Sequence, residues 1–237
     1  MTSDGIRYVD EVSVRVLGST TLPSVRIAPI SGSFVVQSEN GSYSRRTGRE
    51  VIITAIGNQV EISIDGRNER LASIRFLPEA GSALYLKTHN SNHSYAGELE
   101  VQSTSKGLRI LNIVPLEDYV ASVVGSEYGL DDLEGAKAMA VVARTYALYA
   151  LENGKELRDH EGFQVYGGLK RATPAARRAA QQTAGQVLEH KGNLIEAVYS
   201  ASNGGRTASN TTIWGSKPLP YLKSRKDSWD SKSPYAS

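Results

Sequence analysis

The stretch LEDYVASVVGSEYG at residues 116–129 carries an apolar helical pattern that ends on one acidic side chain. Its apolar residues and that acid recur at steps of three and four and therefore share one face: Leu116, Tyr119, Val120, Val123, Val124 and Glu127. We predict a helix with a partly buried carboxylate at its end. Burial and the negative end of the helix dipole would both raise the carboxyl pKa, which suits a general acid. The alternatives are a carboxylate paired with a Lys or Arg, or one exposed where the helix ends.

Alternating residues on the N-terminal side of this stretch predict a hairpin over 95–101 and 108–114 that leads into the helix. On its other side, residues 125–129 are expected to interrupt the helix. Asp131 and Glu134 then form a capping box for a second helix over 132–152, which ends at Asn153-Gly154. Thr173-Pro174 begins a third helix that ends before Gly185. A second hairpin is expected over 186–190 and 193–200, turned at residues 191–192.

The first third of the chain has the pattern of strands, at 11–16, 51–56, 59–64, 74–77 and 84–86. The polar residues 88–94 are typical of a loop, with His89 and His93 in solvent. The predicted fold class is therefore α+β, a β-rich N-terminal unit at 1–88 followed by a mixed α/β domain at 89–237.

Composition excludes several classes of protein. The 27 Lys and Arg nearly balance the 25 Asp and Glu, so we expect no nucleic acid as the main partner. The absence of cysteine removes disulfides, cysteine zinc sites and thiol nucleophiles. No apolar stretch approaches the roughly twenty residues of a membrane helix, and residues 1–5 lack a signal peptide's basic and apolar regions. Either the protein is cytosolic or an export signal has been removed.

Eight short blocks occur in an order and spacing that resemble the SpoIID/LytB family, from about residue 95 to the C-terminus. They are Tyr95-Ala96-Gly97-Glu98-Leu99; Asn112 with residues 115–120; Val123-Val124 with Glu127; residues 136–138 with 143–147; residues 164–168; Thr183-Ala184-Gly185; Tyr199-Ser200 with Ser202 and residues 204–207; and Trp214 with Pro220-Tyr221-Leu222.

The resemblance implies a peptidoglycan role outside the cytoplasm. SpoIID-like members are lytic transglycosylases, which cleave between N-acetylmuramic acid and N-acetylglucosamine without water and leave a 1,6-anhydro end. The family's catalytic glutamate corresponds to Glu127. One acid protonates the leaving oxygen and then assists the sugar's own C6 hydroxyl as a base, so a lone glutamate is sufficient.

The motif match also implies a set of sugar-groove residues, in which hydroxyls and an Arg would hold the polar polymer: Lys137, Arg144, Tyr146, Gln164, Tyr166, Ser200, Ser202 and Thr207. Lys137 and Arg144 are seven apart on one side of the second helix, and a solvated basic face explains them equally well. The glycine-rich segment 200–207 allows close backbone approach by a ligand, or is an ordinary exit from a strand.

Some family members bind zinc through Cys and His near the Gln-x-Tyr-Gly block. Here Phe163 stands beside Gln164 where a Cys often does, which leaves His160 with Asp159 and Glu161, short of a closed four-ligand site. We therefore expect no metal and no cofactor. The partners expected are peptidoglycan glycan strands. LytB-type relatives are described as amidase enhancers, so the chain could instead bind an amidase, or bind the wall through its N-terminal strands, without cleaving anything.

Overall fold

The computed structural model describes residues 9–129 and 132–232. Its helices are α1 (Leu116–Glu127), α2 (Leu133–Glu152), α3 (Pro174–Gln182) and α4 (Asn210–Trp214), with 3-10 turns at Gly168–Lys170 and Asp230–Lys232. Its strands are β1 (Glu11–Val16), β2 (Ser24–Pro29), β3 (Phe34–Ser38), β4 (Ser44–Thr47), β5 (Val51–Ile56), β6 (Gln59–Ile64), β7 (Arg67–Leu71), β8 (Ser73–Pro78), β9 (Leu84–Lys87), β10 (Asn92–Tyr95), β11 (Glu98–Thr104), β12 (Gly107–Pro115), β13 (Leu157–Arg158), β14 (Glu189–His190) and β15 (Asn193–Leu194).

Two large sheets and one β-ribbon organise these strands. The first sheet has the order β13-β1-β12-β11-β8-β3-β4, the second has the order β10-β9-β2-β5-β6-β7, and β14 pairs with β15. Strands β5 and β6 of the second sheet lie against β8, β11 and β12 of the first. Alternate residues point into one shared apolar core, as Val12, Val14 and Val16 of β1 do. The mixed α+β class predicted from the sequence is confirmed.

Strand pairing crosses the predicted boundary at residue 88. The first sheet combines β1, β3, β4 and β8 from before that residue with β11, β12 and β13 from after it. The prediction of a loop over 88–94 is wrong at its end, because β10 pairs there with β9 and places half-buried His93 against the Tyr95 ring. The division into 1–88 and 89–237 stays a prediction from the sequence, and a common sheet joins its two parts.

The three predicted helices are confirmed, with shifted ends. Helix α1 continues through Gly125 to Glu127, so the predicted interruption begins three residues later, at Tyr128. Asp132 caps α2, and its carboxylate accepts from the N–H groups of Glu134 and Gly135. The predicted capping residue Asp131 lies outside the described residues. Thr173 caps α3, whose first residue is Pro174, as predicted.

Helices α1, α2 and α3 pack against one another, and small residues permit the close approach. A Cβ atom at Gly125 would lie 1.8 Å from the Arg171 carbonyl oxygen, so any larger residue would push α1 away from the segment that leads into α3. Buried Ala140, Ala143 and Ala147 do the same for α2. No described helix is long and apolar enough to cross a membrane.

Candidate active site

An open cleft of about 790 Å³ lies where the C-terminal end of α1 meets α2 and the segments around residues 163 and 199. Aromatic, small apolar and hydroxyl side chains line it, together with two carboxylates: Glu127, Tyr128, Gly129, Gly135, Ala138, Met139, Val142, Tyr146, Glu161, Phe163, Val198, Tyr199, Ser200, Ala201 and Trp214. Its volume lies within the range of about 300–1,000 Å³ typical of ligand sites.

Glu127 is the last residue of α1, and its side chain is exposed to the cleft. The expected partial burial is wrong, because the helix ends there and no further turn covers the carboxylate. Oε1 accepts a hydrogen bond from the Val165 N–H at 2.8 Å, and the Tyr199 hydroxyl lies near the same carboxylate. Within the described residues Glu127 forms no salt bridge, so the alternative of a structural ion pair is wrong for them too.

A line of hydrogen bonds leads from the core to this carboxylate. The buried Tyr119 hydroxyl donates to Gln164 Oε1 at 3.0 Å, and Gln164 Nε2 donates to the Tyr199 oxygen at 3.5 Å. Burial raises the pKa of Tyr119 and of Tyr199 above the usual value, and the nearby Glu127 charge acts in the same direction. Both phenols therefore keep their protons near neutral pH, and the Tyr199 hydroxyl is available as a donor beside Glu127.

Arg144 cannot contact a ligand in the cleft, because its side chain is fully buried. Its guanidinium binds both carboxylate oxygens of Glu117, and it also donates to the carbonyl oxygens of Ala180 and Gln186. The assignment of Arg144 to a sugar groove is wrong. Its part is to tie α1, α2 and the end of α3 together.

The other predicted groove residues fall into two groups. Tyr146 and Ser200 line the cleft with Glu127, and buried Gln164 supports it from behind. The remaining four lie outside its lining. Buried Tyr166 donates to Asn112 Oδ1, Lys137 pairs with Glu134, Ser202 donates to Asp230, and Thr207 bonds to the backbone of residues 223 and 225. Tyr166 is too buried for the predicted contact with sugar.

Sequence reasoning missed four aromatic residues of the cleft as site residues, namely Tyr128, Phe163, Tyr199 and Trp214. All four lie within or directly beside the motif blocks. A large aromatic residue within a mostly polar segment could have indicated a binding residue. This pattern is clearest for Trp214, which lies between Thr211-Thr212 and Gly215-Ser216.

The residues considered as zinc ligands, Asp159, His160 and Glu161, do not form a metal-binding group. Among residues 9–129 and 132–232 there is no group of three or more His, Asp or Glu side chains that could hold a metal ion. Asp159 accepts from the Leu17 N–H at 2.7 Å, and His160 Nδ1 accepts from the Gly162 N–H. Both side chains thus organise the loop that precedes Phe163.

Comparisons with known proteins agree with the motif blocks. Residues 104–190 match the SpoIID family, described as Stage II sporulation protein. The chain is 43% identical over 98 residues to the Amidase enhancer of Bacillus subtilis (strain 168), covering 41% of this chain and 13% of that protein. It is 32% identical over 145 residues to Stage II sporulation protein D of Bacillus amyloliquefaciens and of B. subtilis, covering 51% of this chain and 41% of each. These matches support the assignment of this part of the chain to the SpoIID/LytB family.

The chain spans less than half the length of these relatives. The SpoIID match includes α1, α2 and α3 and therefore Glu127, Tyr146 and Gln164. The opposite wall of the cleft, with Tyr199, Ser200 and Trp214, follows the matched segment in the chain. The cleft thus combines the SpoIID segment with residues C-terminal to it.

Proposed function

We propose that this cleft cleaves the glycan strands of peptidoglycan outside the cytoplasm as a lytic transglycosylase, with Glu127 as general acid and then general base. The observation that carries the proposal is the placement of Glu127. An exposed carboxylate, oriented by Val165 with Tyr199 nearby and without a cationic partner among the described residues, opens on a cleft lined by aromatic rings. The similarity to the SpoIID/LytB family supports the cell wall as the setting.

The reaction needs one group that gives a proton and takes one back. Protonated Glu127 donates to the glycosidic oxygen as the bond from that oxygen to C1 of N-acetylmuramic acid breaks. The carboxylate then removes the proton from the C6 hydroxyl of the same sugar while O6 attacks C1. An anhydro ring forms, no water is consumed, and Glu127 regains its proton.

Neighbouring residues fix the position of the acid. The Val165 N–H holds Oε1, and Tyr199 lies near the carboxylate on the other wall of the cleft. Gln164 cannot turn away because Tyr119 binds its oxygen, so the Tyr199 hydroxyl is oriented in turn. A side chain held in this way loses little rotational freedom when the substrate binds.

Digestion of purified, peptide-free glycan strands followed by mass spectrometry tests the proposal. The wild type should release fragments with 1,6-anhydro-N-acetylmuramic acid ends. Glu127→Gln keeps the shape and the acceptor oxygen for Val165 but cannot donate a proton, so the rate should fall by about 10²–10⁴-fold or more. Equal release of anhydro ends by both proteins would refute Glu127 as the acid.

A second candidate function comes from the relative named Amidase enhancer, which is 43% identical to this chain over 98 residues. On this hypothesis the cleft binds the cell wall or an amidase, and Glu127 serves as a hydrogen-bond acceptor only. If the wild type releases no anhydro ends, yet wild type and Glu127→Gln stimulate a cell-wall amidase equally, the enhancer hypothesis replaces the enzymatic one.

A further inference from the structure

Trp214 presents an exposed indole at the cleft. Its side chain is 56% exposed, and it lines the same cleft as Glu127. Because this exposed ring lies in a cleft beside other aromatic side chains, it adds to an apolar surface of the kind that marks a binding site. The other tryptophan of the chain, Trp229, is 71% exposed but outside the cleft, with the Lys232 ammonium 4.4 Å from its ring centre.

The element that carries Trp214 is firmly held. Ser209 caps α4 by accepting from the Thr212 N–H at 3.2 Å. Buried Asn210 donates to the Lys217 carbonyl oxygen at 2.7 Å and accepts from the Leu219 N–H at 3.0 Å. These hydrogen bonds fix the start of α4 and connect it to the segment that follows the helix. Trp214 therefore lies on a short helix with a defined position at the cleft.

We propose that Trp214 is a stacking platform for one sugar ring of the glycan, an inference that rests on the proposed function. A pyranose ring has a flat face of C–H groups, which packs on an aromatic ring, and a rim of hydroxyl and acetamido groups that need polar partners. The cleft supplies both, since Ser200, Tyr199 and Glu161 line it together with the indole. The cleft thereby distinguishes a sugar polymer from a purely apolar ligand.

The two tryptophans of the chain make a direct test practical. The variant Glu127→Gln with Trp229→Phe binds without cleaving and leaves Trp214 as the single indole. Short peptide-free glycan strands should quench its fluorescence and shift the emission to shorter wavelength, in a saturable manner. The matched variant Glu127→Gln with Trp214→Phe reports only Trp229 and should show no change.

Calorimetric titration measures the effect on affinity. Trp214→Ala in the Glu127→Gln background should raise the Kd for the strands by about tenfold, the loss of one aromatic stacking contact. Its thermal midpoint should stay close to that of Glu127→Gln, because the indole is mostly exposed.

Wild-type cleavage of the same strands, measured in parallel, separates the outcomes. If the wild type cleaves the strands, but the Trp214 fluorescence does not change and Trp214→Ala binds them equally well, the stacking platform is refuted and the proposed function stands. If the indole responds to an amidase or to free stem peptides and not to strands, Trp214 is a protein contact and the inference is refuted. If strands are neither bound nor cleaved, the proposed function and the inference fail together.

Discussion

The two ends of α1 carry carboxylates in opposite surroundings. Glu117 in the first turn lies at the positive end of the helix dipole and binds the buried Arg144 guanidinium. Glu127 in the last turn lies at the negative end, without a cation among the described residues, and faces the cleft. The dipole stabilises the first placement and disfavours the second. The Glu117 carboxylate, which the helix dipole and Arg144 stabilise, therefore has a structural role. The Glu127 carboxylate is kept where the helix dipole disfavours a negative charge, and it is therefore the candidate catalytic group.

Removing residues 1–88 should have the largest effect on stability, because it removes the strand that supports the N-terminal end of α1. Strand β1 pairs with β12 over six residues, and the Leu116 N–H at the start of α1 donates to the Asp10 carbonyl oxygen at 2.9 Å. We expect the fragment 89–237 to show no cooperative unfolding in urea by circular dichroism, contrary to the division predicted from the sequence. A sharp transition in that fragment would restore the independent domain.

Arg144→Met tests the ion pair at the first end directly. The change leaves the Glu117 carboxylate without its guanidinium partner and should lower the free energy of unfolding by about 3–5 kcal/mol. Urea denaturation measures it. Arg178→Met on the exposed side of α3 is the matched control and should alter stability by no more than about 0.5 kcal/mol. Equal effects of both variants would remove the structural role given to Arg144.

Tyr199→Phe tests the organisation of the second end. The variant loses the hydroxyl that lies near Glu127 and accepts from Gln164, so release of anhydro ends should slow by roughly tenfold at an almost unchanged thermal midpoint. Tyr85→Phe in β9, which is not among the residues that line the cleft, should retain wild-type release. A loss of stability without a loss of rate would make Tyr199 a packing residue.

His93→Gln should have the smallest effect. His93 lies on β10, which packs against the 3-10 turn at Gly168–Lys170, and Ser122 in the middle of α1 donates to the Gly168 carbonyl oxygen of that turn. Burial lowers the pKa of His93, and the Lys170 charge adds to this while Asp159 opposes it. The unfolded chain therefore takes up a proton below about pH 6.5 before the native state does, and stability falls as the pH decreases.

Urea denaturation at several pH values between 7 and 5 measures this dependence. His93→Gln should flatten it, whereas His89→Gln, at an exposed position, should leave it as it is in the wild type. An identical pH dependence in all three proteins would show that His93 does not contribute.

The spacing of apolar residues along the sequence predicted several strands and helices correctly. Alternation gave β1 and β6, a run of β-branched and apolar residues gave β5, all three with correct bounds, and the i, i+3, i+4 spacing gave α1. Strands β2, β3 and β10 were missed, although buried residues alternate in β2 and β3. Strands β4 and β7 were missed because their residues are mostly polar and lack an apolar face. They form as outer strands of the two sheets, each paired with one neighbour that the sequence does not mark.

The candidate site was only partly predictable, since its parts are distant in the chain. Glu127 was found from its position on α1. The burial of Arg144 depends on Glu117, 27 residues earlier, and the orientation of Tyr199 depends on Gln164, 35 residues earlier. A local sequence pattern does not show which residues pair over such distances. The sequence alone therefore could not decide whether Arg144 lies in the core or in the groove.

Glu117→Gln and Glu127→Gln, compared in two assays, test the central claim that the two ends of α1 have separate roles. Glu117→Gln should lose about 3–5 kcal/mol of unfolding free energy and keep wild-type release of anhydro ends per folded molecule. Glu127→Gln should keep or slightly raise the free energy of unfolding, because a charge leaves the negative end of the helix, while release falls by about 10²–10⁴-fold. If Glu127→Gln is destabilised like Glu117→Gln and still releases anhydro ends at the wild-type rate, the account is contradicted.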